Sequence, residues 1–152
     1  MRFIADSMMG KLARWLRLSG YDVLYSRYYS DEEVLNKAAK RVILTRDAEL
    51  AEKALKSGRE VILFSSNSLQ DQLRQLIRNK GIVLKETPEN SRCPLCNGEI
   101  KKLEKGKVKN KVPGGILAVV EEFWECRDCG KIYWHGSHWD KIKKTVRDLM
   151  KE

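Results

Sequence analysis

Along the first half of the chain the apolar period keeps switching. Short continuous apolar runs, Phe3-Ile4-Ala5, Val23-Leu24-Tyr25, Val42-Ile43-Leu44 and Val61 to Phe64, are too brief for helices and predict strands buried on both faces. Between them the spacing lengthens to that of a helix. Met8, Leu12, Trp15 and Leu16 predict a helix over 7–18, and Gly20 is its natural stop. Ser30-Asp31-Glu32-Glu33 is a capping box that opens a second helix through Val34, Leu35, Ala38 and Ala39. A third runs over 48–56 and ends at Gly58, and a fourth over 69–79 turns Leu69, Leu73, Leu76 and Ile77 inward. Ile82 to Leu84 offers a fifth strand. Alternation of this kind predicts the α/β class, a parallel sheet sandwiched by helices and joined by right-handed crossovers.

The character changes behind the polar break 87–91, which predicts an α/β domain over 1–90 and a smaller unit over 91–152. In the second part Cys93-Pro94-Leu95-Cys96 leads into a lysine-rich stretch, a Pro113-Gly114-Gly115 turn and a strand-like run from Ile116 to Trp124. Cys126-Arg127-Asp128-Cys129 follows, and a last helix carries Ile142, Val146 and Leu149.

Two Cys-x-x-Cys pairs separated by a hairpin can grip a tetrahedral metal from two tight turns, so Cys93, Cys96, Cys126 and Cys129 are expected to hold one structural zinc. The apolar residues between the pairs are too few for a self-sufficient core, and metal would supply what packing does not. A redox dithiol is the rival, but it would be expected beside a βαβ unit and not twice in a polar segment. His135 and His138 stand nearby, yet four cysteines already fill the coordination sphere. Cysteines used in this way fit a reducing setting. With no apolar run long enough to span a membrane and no secretory signal pattern at the N-terminus, the expected location is the cytoplasm.

The chemistry expected of the first part lies in its acids. Asp6, Asp31 and Asp47 each follow a strand candidate, and in open α/β sheets ligands bind beyond the carboxyl ends of the strands. Each acid also has a structural explanation, since Asp6 and Asp47 can cap helices and Asp31 lies in a helical first turn where negative charge is favoured. Held at one sheet edge, three carboxylates would repel unless a cation joined them, and hard oxygen donors suit Mg²⁺ or Mn²⁺. A net charge of +9 makes an anionic partner plausible. Lys11, Arg14 and Arg17 recur three apart on a helix, and Arg46 precedes the third acid, so Arg14, Arg17 and Arg46 are candidate phosphate ligands. A solvated basic face explains the helical ones equally well.

Phe3-Ile4-Ala5-Asp6, the run Gly10-Lys11-Leu12-Ala13-Arg14-Trp15-Leu16-Arg17, Gly20-Tyr21-Asp22 and Leu44-Thr45-Arg46-Asp47 together resemble the mutator-seven C-terminal RNase family, a branch of the PIN-like nucleases. Arg92-Cys93-Pro94-x-Cys96-Asn97-Gly98 and the run from Cys126 to Trp139 are similar to that family's zinc ribbon, so the likeness covers nearly the whole chain. It implies a PIN-like fold with acids at the carboxyl edge of the sheet: Asp6 first, Asp31 opening a helix, and Asp47 in the Thr-x-Asp motif. Many PIN-like nucleases carry another acid on a helix between the first and third, and residues 7–30 offer only Asp22, at a strand start.

The expected function is a metal-dependent ribonuclease, with RNA as partner, Zn as structural metal, and Mg or Mn at Asp6, Asp31 and Asp47. The alternatives are a non-catalytic RNA- or ribosome-binding module, and phosphoryl transfer with Asp47 as nucleophile, which lacks a glycine-rich phosphate loop. Lys101 to Lys111 holds six lysines against Glu104. Lys105, Lys107, Lys109 and Lys111 alternate, so on a strand they would form one face that contacts phosphates or guards a sheet edge.

Overall fold

The computed structural model describes residues 1–151 of the chain. They form two compact units, one of Met1–Arg17 with Tyr21–Val83, the other of Leu18–Gly20 with the chain from Leu84 onward.

In the first unit β1 (Arg2–Ala5), β2 (Asp22–Tyr25), β3 (Val42–Thr45) and β4 (Val61–Leu63) make an all-parallel sheet in the order β2-β1-β3-β4. The strands alternate with α1 (Gly10–Leu18), α2 (Asp31–Lys37), α3 (Ala48–Lys56) and α4 (Leu69–Lys80). The central strands β1 and β3 are buried on both faces, which is why their sequences read as unbroken apolar runs. Their register, Ile4 opposite Ile43 and Phe3 opposite Val42, divides the sheet into two faces. Ile4 and Ile43 pack with Val34 and Ala38 of α2 and its end, and with Leu50 and Ala54 of α3. Right-handed crossovers then send α1 to the other face, because β2 lies on the opposite side of β1 from β3.

Helix ends follow local chemistry. The capping box of α2 is complete, the Glu33 amide donating to the Ser30 hydroxyl and the Ser30 amide to the Glu33 carboxylate. Glycine ends α4, with Gly81 in the left-handed region at φ 61°. α1 begins at Gly10 and not at Ser7, because the Asp6 carboxylate and carbonyl accept the Met8 and Met9 amides and hold Ser7-Met8 as a turn.

The second unit holds an antiparallel sheet, β5 (Ile100–Leu103), β6 (Phe123–Cys126) and β7 (Ile132–Trp134), followed by α6 (Ser137–Met150). α6 buries Trp139, Ile142, Val146 and Leu149. Three expectations need correction here. The segment 82–84 joins no sheet: Ile82 and Leu84 are buried and Val83 exposed, as in a strand, but the Val83 amide takes the Tyr21 hydroxyl as acceptor. The run from Ile116 opens as a short helix, α5 (Gly114–Val119), and becomes strand only at Phe123. Periodicity cannot separate a short apolar helix from a strand in a run such as Ile116 to Val120, and no residue of α5 is buried. Finally, β5 ends at Leu103, and Lys105–Lys107 form a 3₁₀ turn, so the alternating lysines do not share a strand face.

The division at Val83 precedes the polar break at 87–91. Leu84 is buried, the Lys85 amide bonds the Ser19 hydroxyl, and the Ser91 hydroxyl donates to the Leu18 carbonyl at 2.6 Å. Those contacts place 84–91 with the second unit, although their composition reads as linker.

Candidate active site and metal centre

From β1 the chain crosses to β2 on one side, and from β3 it crosses to β4 on the other. The carboxyl ends of β1 and β3 therefore flank a topological switch point, where the diverging connections leave a crevice. Asp6 and Asp47 leave the sheet there. Thr45, fully buried, links them: its hydroxyl donates to the Asp6 carboxylate and its oxygen accepts the Asp47 amide at 2.9 Å.

Asp6 is buried and tied into the fold by the Met8 amide, 2.9 Å from Oδ1, and by its own amide donating to the Leu44 carbonyl. Burial raises its carboxyl above the usual carboxylate value, the Thr45 and Met8 hydrogen bonds act against that rise, and the charges of Asp47 and Asp31 add to it. Asp47 caps α3 through Oδ1, which accepts the Glu49 and Leu50 amides at 2.9 and 3.3 Å. Asp31 is the first residue of α2, half-exposed, with Lys53 Nζ 3.6 Å from its Oδ2. Both Asp47 and Asp31 are thus structural as well as electrostatically felt at Asp6.

A divalent ion needs free lone pairs. A carboxylate has about four lone-pair sites. Asp6 uses two of them on Thr45 and Met8, and Asp47 Oδ2 accepts no hydrogen bond among the described residues. Donor chemistry and charge therefore fit Mg²⁺ or Mn²⁺. The carboxylates do not, however, fall within one ligand shell; among the described residues only the four cysteines cluster so closely.

The same edge carries a cleft of about 460 Å³ lined by Met8, Lys11, Arg14, Tyr25, Arg46 and Gln72, among others. Arg14 and Arg46, expected as phosphate ligands, thus meet in one cleft together with Lys11. Arg17 does not join them. It is buried, and its Nε and Nη2 donate to the Val23 carbonyl at 3.0 and 2.8 Å, holding α1 to β2. Asp22 lies at the other edge of the sheet, in an ion pair with Arg41 at 2.9 Å, so no fourth acid comes from 7–30.

In the second unit the four Sγ atoms lie within 4.8 Å of one another, Cys93 with Cys129 at 3.7 Å and Cys96 with Cys126 at 3.4 Å. The two knuckles repeat one geometry. The Asn97 amide bonds the Cys93 carbonyl and the Gly130 amide the Cys126 carbonyl, while the Cys93 and Cys126 amides bond the Gly98 and Lys131 carbonyls. Asn97 and Gly130 both take positive φ, 70° and 74°, the turn that brings each pair around one point. Gly98 is required by space, since a Cβ there would sit 2.6 Å from Asp128 Oδ2 and 2.8 Å from Cys126 Sγ.

Burial works against a thiolate at Cys93, yet hydrogen bonds from the Tyr133 hydroxyl and the Cys96 and Leu95 amides outweigh it and bring the pKa down to about 7. Burial and the neighbouring thiols push Cys96 up to about 12. Such a set accepts one negative charge and resists more, which is the electrostatics of a site completed by a cation. His135 packs between the Trp124 and Trp139 rings and His138 is exposed, so neither enters the cluster.

A family model for the Mut7-C RNAse domain matches residues 1–146. The chain belongs to the Mut7-C RNAse domain family. Its α/β fold, its four-stranded parallel sheet and a cysteine cluster that fits a zinc ribbon accord with that membership. No curated protein and no solved structure matches the chain. Within this Mut7-C chain Lys105, Lys107 and Lys109 lie on and after the 3₁₀ turn, with Lys105 paired to Glu121 at 2.6 Å. No helix among the described residues is long and apolar enough to cross a membrane.

Sequence reasoning missed two contributors to the strand-exit site. Thr45 is in view as part of Thr-x-Asp, but that its hydroxyl joins the Asp6 carboxylate to the Asp47 backbone amide needs the register of β1 against β3. Tyr25 was read only as a strand residue. Its hydroxyl donates to the Ser7 carbonyl at 3.2 Å, and it crosses so near Gly10 that a Cβ there would lie 2.6 Å from its oxygen. A glycine opening a helix was the available signal, since that position gains nothing from glycine unless something lies close.

Proposed function

We propose that this chain is a cytoplasmic, metal-dependent ribonuclease that hydrolyses RNA phosphodiester bonds at the carboxyl edge of its parallel sheet. The observation that carries the proposal is the Thr45 link between Asp6 and the Asp47 amide, with a buried Asp6 carboxyl already raised by burial and by its two neighbouring acids. The cleft lined by Lys11, Arg14 and Arg46 includes none of the three acids but takes in residues next to Asp6 and Asp47 in the chain. Asp6, Asp31 and Asp47 would hold Mg²⁺ or Mn²⁺. When bound, the ion supplies an activated water and offsets charge on the phosphodiester.

The remaining work falls to the chain itself. Arg14 and Arg46 hold phosphates beside the acids, where guanidinium forks match phosphate oxygens, and Lys11 adds a point charge. Thr45 fixes the Asp6 carboxylate, so its free lone pairs keep one direction. Lys105, Lys107 and Lys109 contribute contacts to the backbone that carry no sequence information.

A second reading, a non-catalytic RNA- or ribosome-binding module, draws support from the structural use of each acid: a turn at Asp6, a helix cap at Asp47, an ion pair at Asp31. Mn²⁺ titration followed by electron paramagnetic resonance separates the two. The ribonuclease reading expects a saturable site in the zinc-loaded chain that Asp6→Asn and Asp31→Asn each weaken. Binding no tighter than in both variants would favour the module.

A further inference from the structure

The amino ends of the strands, at the opposite edge of the sheet from Asp6 and Asp47, hold a cavity of about 360 Å³. Its walls come from three places: Arg2 at the start of β1, Lys40 and Arg41 between α2 and β3, and Arg59 and Glu60 between α3 and β4. Part of that charge is spoken for. Arg41 pairs with Asp22 at 2.9 Å and donates to the Phe3 carbonyl at 3.1 Å, and Glu60 pairs with Lys80. Arg2, Lys40 and Arg59 remain, and none of them has an ion pair among the described residues. Three cations brought to one hollow, whose one lining carboxylate, Glu60, is already paired with Lys80, repel one another, and an anion would reverse the sign of that interaction.

A second observation points the same way. Arg59 Nε is buried and has no hydrogen-bond partner, alone in this respect among the described side-chain polar atoms. An unmade bond at a buried charged donor is costly, and native structures keep few of them. A water molecule would satisfy the Nε but would add no negative charge beside Arg2, Lys40 and Arg59. A tetrahedral oxyanion answers both, because a guanidinium presents Nε and a terminal nitrogen as a fork that matches two of its oxygens.

We infer that this cavity is a phosphate-binding site, with Arg59 as anchor and Arg2 and Lys40 as flanking charges. It shares no residue with the acidic edge or the cysteine cluster, so it stands or falls independently of the nuclease reading. The phosphate belongs either to a small phosphorylated molecule or to an RNA chain.

The test is a ¹H–¹⁵N NMR titration of the full-length, zinc-loaded chain in buffer free of Mg²⁺ and Mn²⁺, with inorganic phosphate exchanged for chloride at constant ionic strength. Saturable shifts are expected at the Arg59 Nε–H and at the amides of 38–42 and 58–60. Arg59→Gln and, separately, Lys40→Gln should each weaken binding by about tenfold, the loss expected of one charge-assisted contact. If Arg59→Gln disturbs the fold, the exposed Lys40 carries the test. Parallel titrations use one short single-stranded RNA with either a 5′-phosphate or a 5′-hydroxyl. Equal shifts from both assign the site to internal RNA phosphates, shifts from the first alone to a terminal monoester, and shifts from inorganic phosphate alone to a small ligand. Scattered or non-saturating shifts with all three probes would overturn the inference, as would unchanged affinity in Lys40→Gln.

Discussion

Replacing Thr45 with Val tests whether the exits of β1 and β3 work as one unit, because valine keeps the shape of the buried side chain and removes its oxygen. That oxygen accepts the Asp47 amide and its proton goes to the Asp6 carboxylate. The substitution removes one neutral hydrogen bond, about 1 kcal/mol, and one to a charged group, about 1.5–3 kcal/mol. The expected loss is therefore about 2.5–4 kcal/mol, a large share of the roughly 5–15 kcal/mol by which a domain is stable. The loss should depend on pH. Burial sets the folded Asp6 pKa above its unfolded value, so the native state binds the extra proton and wild-type stability falls as pH rises through the carboxylate range. The Thr45 bond opposes that rise. Without it the folded pKa moves further up, and the variant should lose stability more steeply over the same range, while at acid pH, where Asp6 is neutral in both, the gap should narrow toward the roughly 1 kcal/mol of the lost Asp47 amide bond. Urea unfolding read by amide exchange in β1 and β3, from the carboxylate range up to neutrality, measures this. Thr45→Ser keeps the hydroxyl and should keep the wild-type slope, at a cost of about 1 kcal/mol for the lost methyl. A Val variant within about 0.5 kcal/mol of wild type, or a loss independent of pH, would refute the reasoning.

Metal analysis of the wild-type chain should find one zinc, and Cys126→Ser should lose it and unfold β5 to β7 while amide exchange in β1 to β4 stays slow; slow exchange in both sheets without zinc would contradict this. Arg17→Met should cost about 2 kcal/mol or more, since it breaks two buried bonds to the Val23 carbonyl, yet leave RNA affinity unchanged. Weaker RNA binding at unchanged stability would return Arg17 to the ligand surface. Changing Lys105, Lys107 and Lys109 together to Gln should flatten the salt dependence of RNA affinity by about two to three units in slope, measured by fluorescence anisotropy.

Elements that depend on local chemistry were legible in the sequence. The central strands announced themselves as continuous apolar runs because both faces are covered, and α2 because Ser30 and Glu33 cap each other. The two Cys-x-x-Cys pairs reached one point because Asn97 and Gly130 supply matching turns. What was not legible depends on accumulated angle or on a distant partner. Lys11, Arg14 and Arg17 look coaxial at a spacing of three, yet each step falls about 60° short of a full turn, so Arg17 lies about 120° round from Lys11 and reaches β2. Val108 shows why the lysine alternation misled. It is fully buried beneath a turn, and exposed lysines either side of one buried anchor read in sequence like the outer face of a strand. The segment 82–84 alternates properly yet joins no sheet, and its Val83 amide donates to the Tyr21 hydroxyl instead of to a neighbouring strand.

Cleavage of a labelled single-stranded RNA by the zinc-loaded chain, with and without Mn²⁺ and beside Asp47→Asn, bears most directly on the nuclease site. The side-chain oxygen that Asp47→Asn retains can still cap α3, so the fold should persist, but the charge beside Asp6 is gone. The account requires cleavage that chelation abolishes, that Mn²⁺ or Mg²⁺ restores, and that Asp47→Asn lacks while melting at the wild-type temperature. Equal cleavage by wild type and Asp47→Asn, or RNA binding without any metal-dependent cleavage, would contradict it.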